Sequence, residues 1–472
     1  MSVEFDFMSA VDMKHHIARK EISPVELAKR ALAAAEETQS TLNAFSTLMP
    51  EAALAAAKSA EDAVMRGQPL GMLHGIPVSV KDLIAVAGVT YASGSKAMAS
   101  NIAVSDAPSV ERLKQVGAVI IGKTTTSEFG CKPVGDNLLT GITRNPWNLE
   151  KTPGGSSAGA AASVAAGITP FALGTDGGGS IRIPCSLSGL AGIKGHFGRV
   201  PVWPASATPT LAHVGPIARS MQDAALLFSA IAGYDARDPF SVAGPVPDVM
   251  GGAQASVKGL RIAYSPTFGY AKPDPSVLKV VEAAVRKLET LGCEVEQVDR
   301  IFDKDPIDLW TAEFYAGVGI KLRHFVENQR DILDPAVADV LEHALSQDMR
   351  HYYTKVFERY AFRDQVRTFF EKYDVLVSPV VPVSSLDVGV DIPAHLTDRN
   401  LVSWVYYTYP FNLTGQPAGT VCAGVGADGM PVGLHIVGRA MGEYDVVRLG
   451  AAYERLQERN WVRPLGARSG GT

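Results

Sequence analysis

The sequence predicts an α/β fold, and three observations lead to that prediction. The chain has 472 residues, far more than a minimal fold needs, and 46% of them are apolar against only 20% charged. A chain of this length and composition can fill a sizeable core. Short valine- and isoleucine-rich segments alternate with longer segments whose apolar residues recur at helical spacing. This alternation is typical of a β-sheet with helices packed against it.

Capping residues and apolar periodicity locate the elements along the chain. Ser23, Pro24 and Glu26 form the pattern of an N-cap, a proline at the first helical position and an acid in the first turn. Signals of this kind predict helices over residues 23–37, 51–66, 108–115, 157–166, 221–228, 276–291 and 442–459. Strands are predicted over residues 76–80, 118–122, 260–264, 293–298, 375–377, 419–423 and 432–437. The first of these strands places Lys81 at its C-terminal end.

Two other segments have unusual composition. A proline-rich stretch at 238–247 is a candidate subdomain boundary. A helical section from about 300 to 373 is rich in aromatic residues.

Charge and the N-terminal sequence exclude several classes of function. The 44 basic and 49 acidic residues leave a net charge of -5, so no basic field attracts nucleic acid or anionic lipid. Acids stand where a secretion signal would need a basic stretch, and no apolar run reaches the roughly 20 residues of a membrane span. We therefore expect a cytoplasmic protein with a small-molecule substrate and no nucleic-acid or membrane partner. The spacing of the cysteines fits neither a disulfide framework nor a zinc site and predicts buried thiols at Cys131, Cys185, Cys293 and Cys422.

Two short motifs match known patterns that their surroundings do not support. Gly424-Val-Gly-Ala-Asp-Gly429 fits the dinucleotide fingerprint, but no helix can follow it, so we predict a hairpin turn. Gly155-Ser-Ser157-Ala-Gly159 fits the nucleophile elbow of α/β-hydrolases and would make Ser157 the nucleophile. That alternative needs a downstream acid and a final histidine. His435 lies far enough along the chain to be that histidine. However, it stands in a predicted strand of alternating residues, which indicates an ordinary half-buried strand residue.

Three other segments carry a stronger signal when they are taken together. They are Gly75-Ile-Pro-Val-Ser-Val-Lys81-Asp82, Thr152-Pro-Gly-Gly-Ser156-Ser157-Ala-Gly159 and Gly174-Thr-Asp176-Gly177-Gly178-Gly179-Ser180-Ile-Arg182. With further segments in the same order, such as Asn145-Pro-Trp-Asn148 and Phe411-Asn-Leu-Thr-Gly-Gln-Pro-Ala418, they resemble the amidase signature family of amide hydrolases. The resemblance covers most of the chain except about residues 240–400.

The family resemblance implies an architecture and a division of the chain. The expected fold is a central mixed, twisted β-sheet covered on both faces by α-helices, in a single domain over residues 1–472. Its catalytic core is expected at about 70–235. A more variable helical region that forms the substrate pocket is expected at about 300–410.

The resemblance also implies a catalytic triad. It assigns Ser180 as the nucleophile, Lys81 as the final proton acceptor and Ser156 as the relay between them, with the Gly155–Ser156 peptide bond cis. A lysine acts as a base only when its amine is neutral. Burial favours the neutral form, which a site packed under a glycine-rich layer provides. Neither a cofactor nor a metal is required.

The glycine run before Ser180 is expected to form an oxyanion hole. Backbone N–H groups of Gly177, Gly178 and Gly179 are unobstructed by side chains, and each such donor is worth roughly 3 kcal/mol. A phosphate-binding nest is the alternative, but no Gly-Lys-Ser/Thr sequence follows. The two charged residues that flank the nucleophile, Asp176 and Arg182, are predicted to organise the turn rather than to take part in catalysis.

The chain departs from the family pattern at three places, none of them a proposed catalytic residue. Ala158 replaces a usual glycine, Gly177 fills a position that more often carries a side chain, and Gly195-His196-Phe197 replaces a proline-threonine pair. His196 together with Cys185 suggests a thiol nucleophile as a remote alternative. A cysteine at this position more often fills a small core site.

Substrate specificity is expected to reside in the less similar region. Aromatic residues there either line a pocket or pack in the core: Trp310, Phe314, Tyr315, Trp404, Tyr406, Tyr407 and Tyr409. If some of them face the cleft, the favoured substrates are apolar or aryl amides, with activated esters and carbamates (urethanes) as further candidates. The rival hypothesis is a glutaminase-type subunit of a glutamine-dependent amidotransferase. A homodimer is a possible assembly.

Overall fold

An 11-stranded mixed β-sheet organises the computed structural model, which describes residues 5–457 except 397. Its strands are β1 (Phe45–Leu48), β2 (Pro77–Lys81), β3 (Val119–Thr124), β6 (Phe171–Asp176), β7 (Ala191–Lys194), β8 (His213–Ala218), β9 (Arg261–Tyr264), β10 (Glu294–Gln297), β11 (Val375–Pro379), β12 (Ala418–Val425) and β13 (Pro431–Gly438). Strands β4 (Asp136–Asn137) and β5 (Gly141–Ile142) form a separate antiparallel pair.

Helices surround the sheet. They are α1 (Ala10–Ala18), α2 (Pro24–Leu42), α3 (Pro50–Met65), α4 (Pro108–Gln115), α5 (Ala158–Ala165), α6 (Arg182–Leu187), α7 (Met221–Ile231), α8 (Val249–Gly252), α9 (Pro275–Thr290), α10 (Ile307–Asn328), α11 (Pro335–Leu345), α12 (Met349–Lys372), α13 (Pro410–Thr414) and α14 (Glu443–Arg455). In the part of the chain that the structure describes, no helix is long and apolar enough to cross a membrane.

The order of the strands is β1-β3-β2-β6-β8-β7-β12-β13-β11-β9-β10. Strands from the first half of the chain therefore form one side of the sheet, and strands from the second half form the other. The two sides join where β7 pairs antiparallel with β12, with Gly419 opposite Ile193. The sheet is mixed because β2 runs parallel to β3 and β6, whereas β6 runs antiparallel to β8.

Alternation along the strands shows that both faces of the sheet are covered. In β6, Phe171 and Leu173 belong to one apolar cluster and Ala172 to another. In β11, Val375 and Val377 lie in the first cluster, whereas Leu376 lies in the cluster formed with α10, α11 and α12. Successive side chains of a strand point to opposite faces, so both faces of the sheet are covered at these strands, whereas the edge strand β10 is largely exposed. The α/β fold with a mixed central sheet is confirmed.

The sequence located most elements to within a few residues. The first predicted helix, 23–37, extends to Leu42, because Asn43 in the left-handed conformation (φ 51°) caps it. The hairpin predicted at 424–429 is confirmed, since β12 and β13 pair antiparallel across it. Helix α1, with Ser9 as its N-cap, was not predicted, and neither were the strands β1, β4, β5, β6, β7 and β8. The last two residues of the helix predicted at 442–459 lie outside the described residues.

Candidate active site

The sheet topology brings the three motif segments together. Strands β2 and β6 are parallel neighbours, so their C-terminal ends lie at the same edge of the sheet. Lys81 ends β2, and Thr175 and Asp176 end β6. The pair Ser156–Ser157 immediately precedes α5, which packs against both strands.

Lys81 is fully buried, yet hydroxyl groups surround its amine. Lys81 Nζ lies 2.7 Å from Ser156 Oγ. It also lies 2.9 Å from Ser157 Oγ and 2.8 Å from Thr175 Oγ1. Burial lowers the pKa of Lys81 well below its usual range, against the opposing negative charge of Asp176. Burial therefore shifts Lys81 towards the neutral amine, the form that can accept a proton.

The two adjacent serines differ in their surroundings. The Gly155–Ser156 peptide bond is cis, as predicted. Ser157 Oγ donates to the Thr175 carbonyl at 3.2 Å and accepts from the Thr175 N–H at 3.3 Å. Its side chain is fully buried, and it does not line the cavity that lies beside these residues in the structure. Ser156, in contrast, contacts both Lys81 and that cavity.

Ser180 is partly exposed and lines the same cavity as Ser156. The cavity has a volume of about 260 Å³ and a mostly apolar wall. Three chain segments build this wall around the two serines: residues 83–101, residues 202–214 and the middle of α10. The structure therefore brings Lys81, Ser156 and Ser180 to one place.

Interactions of the glycine run correct one of the predicted oxyanion donors. The Gly179 N–H donates to Asp176 Oδ1 at 2.8 Å, so this donor is already engaged. Within the described residues, the N–H groups of Gly177 and Gly178 have no hydrogen-bond acceptor. Their carbonyls are held instead, by Trp310 Nε1 at 2.8 Å and Thr408 Oγ1 at 2.6 Å respectively. The Gly177 carbonyl shares a peptide unit with the Gly178 N–H, so the bond from Trp310 fixes the orientation of that donor. The Gly177 N–H shares its peptide unit with the Asp176 carbonyl, which accepts from Asn412 Nδ2 at 3.0 Å.

A buried ion pair anchors the turn that carries the glycine run. Arg182 and Asp176 are both fully buried and form two parallel hydrogen bonds of 2.9 Å. Asn412 Nδ2 donates to Asp176 Oδ1, and Arg182 Nη1 donates to the Thr408 carbonyl. Burial by itself would raise the pKa of Asp176, but the charge of Arg182 holds it well below its usual range. The structural role predicted for this pair is consistent with its contacts.

Arg182→Met should destabilise the fold by about 3–5 kcal/mol, because it leaves the Asp176 carboxylate buried and unpaired. Urea unfolding followed by tryptophan fluorescence measures the change. The control is Lys151→Met, which breaks a pair with the largely exposed Asp387 and should cost no more than about 1 kcal/mol. Equal urea midpoints for the two variants would contradict the prediction.

The aromatic residues of the variable region divide between cavity and core. Phe314 lines the large cavity, and Trp310 and Tyr409 line a smaller one beside Ser180. The remaining four are buried in the core without contact to the large cavity: Tyr315, Trp404, Tyr406 and Tyr407. Trp310 and Phe314 stack at 4.3 Å between ring centroids.

The stacked rings explain why Gly177 departs from the family pattern. A Cβ at Gly177 would lie 2.8 Å from Phe314 Cε2, and a Cβ at Gly178 would lie 2.8 Å from Trp310 Cζ2. Both distances are too short for carbon atoms. The missing side chains therefore let the two rings pack directly on the glycine run.

Two further predictions concern histidine and cysteine. His435 is fully buried rather than half-buried, because β13 is a central strand, and its Nε2 lies 3.1 Å from Arg182 Nη1. All four cysteines are free and buried, as predicted. Burial raises the pKa of the Cys185 thiol well above its usual range, which leaves the thiolate disfavoured as a nucleophile.

Several residues around the site were missed from sequence. Thr175 contacts Lys81, and Thr408 and Asn412 hold the turn before Ser180. Thr175 stands next to Asp176 in a motif already noted, which is a usable signal. Thr408 had no such signal, because 228 positions separate it from Ser180 in the sequence.

Comparison with known proteins agrees with this architecture. The chain matches the amidase family model over residues 26–447. It is 35% identical over 461 residues to an acylamidase of Rhodococcus erythropolis, and 96% of each chain is covered. It is 33% identical to a glutamyl-tRNA(Gln) amidotransferase subunit of Geobacter metallireducens, covering 94% of this chain and 96% of the relative. A bacterial aryl acylamidase of known crystal structure superposes with a TM-score of 0.91 at 28% identity, over 99% of both chains.

These similarities define the class of the protein. It is a hydrolase that acts on C–N bonds. More particularly, the chain belongs to the amidase signature family of amide hydrolases.

Proposed function

We propose that this chain hydrolyses small apolar or aryl amides through Ser180, Ser156 and Lys81, by way of an acyl-enzyme. The observation that carries the proposal is the 2.7 Å contact between Lys81 Nζ and Ser156 Oγ beside a cavity that Ser180 also lines. Carbamates and activated esters are candidate substrates of the same site, since their carbonyl carbon can be attacked in the same way.

The arrangement around Lys81 suits a proton relay. A neutral amine has two hydrogens and one lone pair, so one of its three hydroxyl neighbours must donate to it. Ser157 directs its own hydrogen at the Thr175 carbonyl and is therefore an acceptor from Lys81. The lone pair of the Lys81 amine must therefore accept a hydrogen bond from Ser156 or from Thr175. Ser156 donating to Lys81 can in turn accept the proton of Ser180.

In the acylation step, Ser180 Oγ attacks the carbonyl carbon while its proton passes to Ser156 and the Ser156 proton passes to Lys81. The N–H groups of Gly177 and Gly178 stabilise the negative oxygen of the tetrahedral intermediate. The C–N bond then breaks, and the proton held by Lys81 returns through Ser156 to the departing amine.

In the deacylation step, a water molecule attacks the ester between Ser180 and the acyl group. Lys81 takes the proton of this water through Ser156 and returns a proton to Ser180 Oγ as the carboxylic acid leaves. The enzyme is restored with its protons in their original places. Lys81, Ser156 and Ser180 all lie in the proposed core at 70–235, whereas part of the cavity wall comes from the 300–410 region.

The cavity wall favours hydrolysis of apolar amides over glutamine. Among its described residues, the side chains able to carry charge at neutral pH are Asp176, His213 and Lys321. Asp176 is neutralised by Arg182, and burial lowers the pKa of His213 well below its usual range. Lys321 Nζ donates to the Ala205 carbonyl at 2.8 Å. This wall offers no carboxylate and cation pair for the α-amino and α-carboxylate groups of glutamine.

Burial and local structure also disfavour Ser157 as the nucleophile. A nucleophile elbow needs a strand directly before the serine, and the residues before Ser157 form a loop. A fully buried hydroxyl with three hydrogen-bond partners is not available to a substrate.

Covalent labelling with a fluorophosphonate tests the proposal. Intact mass should show one adduct on the wild type and on Ser157→Ala, and none on Ser180→Ala. The purified chain should also hydrolyse 4-nitroacetanilide and leave glutamine unchanged. Labelling that persists in Ser180→Ala and disappears in Ser157→Ala would favour the elbow. Turnover of glutamine without turnover of the anilide would favour the amidotransferase hypothesis.

A further inference from the structure

Ser180 lies between two cavities of very different size. The large one, of about 260 Å³, is lined by Ser156, Gly177 and Ser180. The small one, of about 20 Å³, is lined by Gly178 and Ser180 but not by Ser156. Phe314 and Gly130 line both and separate them. A substrate carbonyl on Ser180, with its oxygen at the Gly177 and Gly178 N–H groups, can direct one of its two substituents towards each cavity.

The position of Ser156 determines which substituent enters which cavity. The leaving nitrogen must receive a proton, and in the proposed mechanism that proton comes from Ser156. The nitrogen therefore lies on the side of the large cavity, whose wall includes Ser156. The reverse orientation would put the nitrogen in the small cavity, away from its proton donor. The acyl substituent therefore lies in the small cavity.

The small cavity has room beside Ser180 for a small apolar group. A volume of about 10–15 Å³ holds one water, so 20 Å³ suits a methyl or methoxy group and little more. Its wall includes the apolar residues Ile183, Val402 and Val405. The polar ends of Trp310 and Tyr409 are engaged elsewhere, with the Gly177 carbonyl and Asp305 Oδ1 respectively.

Lys132 also lines the small cavity, and its charge is neutralised away from Ser180. Its Nζ lies 2.6 Å from Asp136 and 2.8 Å from Asp334, with Asp391 at 3.4 Å. An acyl group that carries a carboxylate would have to compete with these three acids for the ammonium. The small cavity thus favours uncharged acyl groups.

We propose that this enzyme selects short, uncharged acyl groups on bulky apolar amines, and that Val402 and Val405 set the limit on acyl length. The substrate class is N-acetyl arylamides and, by the same geometry, methyl carbamates of arylamines. This inference rests on the proposed function, because it uses Ser156 as the donor to the leaving nitrogen.

A series of 4-nitroanilides with a constant amine and a growing acyl group tests the inference. In the wild type, kcat/KM should fall at least 10-fold from acetyl to butyryl, since one extra methylene in an apolar pocket changes kcat/KM by about 10-fold or more. Likewise, kcat/KM should be higher for the methyl ester of N-(4-nitrophenyl)carbamic acid than for its butyl ester. An equal or higher kcat/KM for the butyryl anilide would overturn the inference.

A double variant of the small cavity and a control variant of the large cavity test which residues limit the acyl length. Val402→Ala/Val405→Ala should raise the butyryl-to-acetyl ratio of kcat/KM by about 10-fold or more. The matched control is Leu322→Ala, which enlarges the large cavity and should leave that ratio unchanged while altering the preference among amines. An unchanged ratio in the double variant would overturn the role of the two valines.

The outcomes for this inference and for the proposed function differ. Turnover of the whole series with no dependence on acyl length would overturn the acyl selectivity and leave the triad standing. Absence of turnover throughout the series, together with absence of labelling at Ser180, would overturn both.

Discussion

Ser180→Ala should lower kcat on 4-nitroacetanilide by at least about 10⁴-fold. Without the hydroxyl no acyl-enzyme can form, and only binding and the Gly177 and Gly178 donors still assist attack by water. Residual catalysis of this kind is typical of serine hydrolases that have lost their nucleophile, and in one such enzyme the loss is about 10⁶-fold. Initial-rate measurement of released 4-nitroaniline over a range of substrate concentrations gives kcat and KM separately.

The fold of the Ser180→Ala variant must be preserved for this result to be meaningful. Ser180 is partly exposed and its side chain is small, so the urea midpoint should match that of the wild type. KM should change little, because the hydroxyl acts on the transition state rather than on binding. A loss of less than 10-fold in kcat would show that another group is the nucleophile.

Lys81→Met should lower kcat by about 10³-fold or more, because it removes the base while keeping a side chain of similar length. General-base catalysis contributes about 10²–10⁴-fold, and the absence of a base also weakens the nucleophile. In the wild type, kcat/KM should fall as the pH falls through the lowered pKa of Lys81, since protonation removes the lone pair that accepts the proton. Above that pKa the profile should be flat with respect to Lys81.

Lys81→Arg is the matched control for the pH prediction. The guanidinium keeps positive charge and hydrogen-bond donors, but it does not deprotonate in proteins. Both variants should therefore be inactive, and the decline of the wild-type profile at low pH should be missing from any residual activity. Substantial activity in Lys81→Arg would show that Lys81 positions Ser156 without accepting its proton.

Lys81 also links pH to stability. Its pKa in the folded chain is lowered, so between that pKa and the usual value near 10.5 the unfolded chain binds a proton that the folded chain does not. The contribution of Lys81 to folding stability therefore becomes more favourable as the pH rises through this interval. Lys81→Met should reduce the dependence of the urea midpoint on pH in the same interval.

Local sequence was sufficient for many of the helices and strands, but not for the central strands β6, β7 and β8. The capping pattern at Ser23 and the apolar runs of β2 and β3 depend on neighbouring residues, so their positions could be predicted closely. The end of α2 was predicted too early, because its stop signal is Asn43 in the left-handed conformation rather than a glycine or proline. The burial of His435 was underestimated, because only the strand order places β13 in the middle of the sheet.

The chemical groups of this protein follow from the order of its residues alone: a lysine at a strand end, two adjacent serines, and a serine after three glycines. Through their resemblance to the amidase signature motifs, these groups implied the roles of Lys81, Ser156 and Ser180. How the groups are used depends on the folded chain. The fold directs the Gly179 N–H to Asp176, keeps Ser157 away from the cavity, and places Phe314 at the division between a large and a small pocket. These outcomes depend on contacts between segments that are far apart in the sequence, such as α10 against the glycine run, and no local pattern records which side chains will meet there.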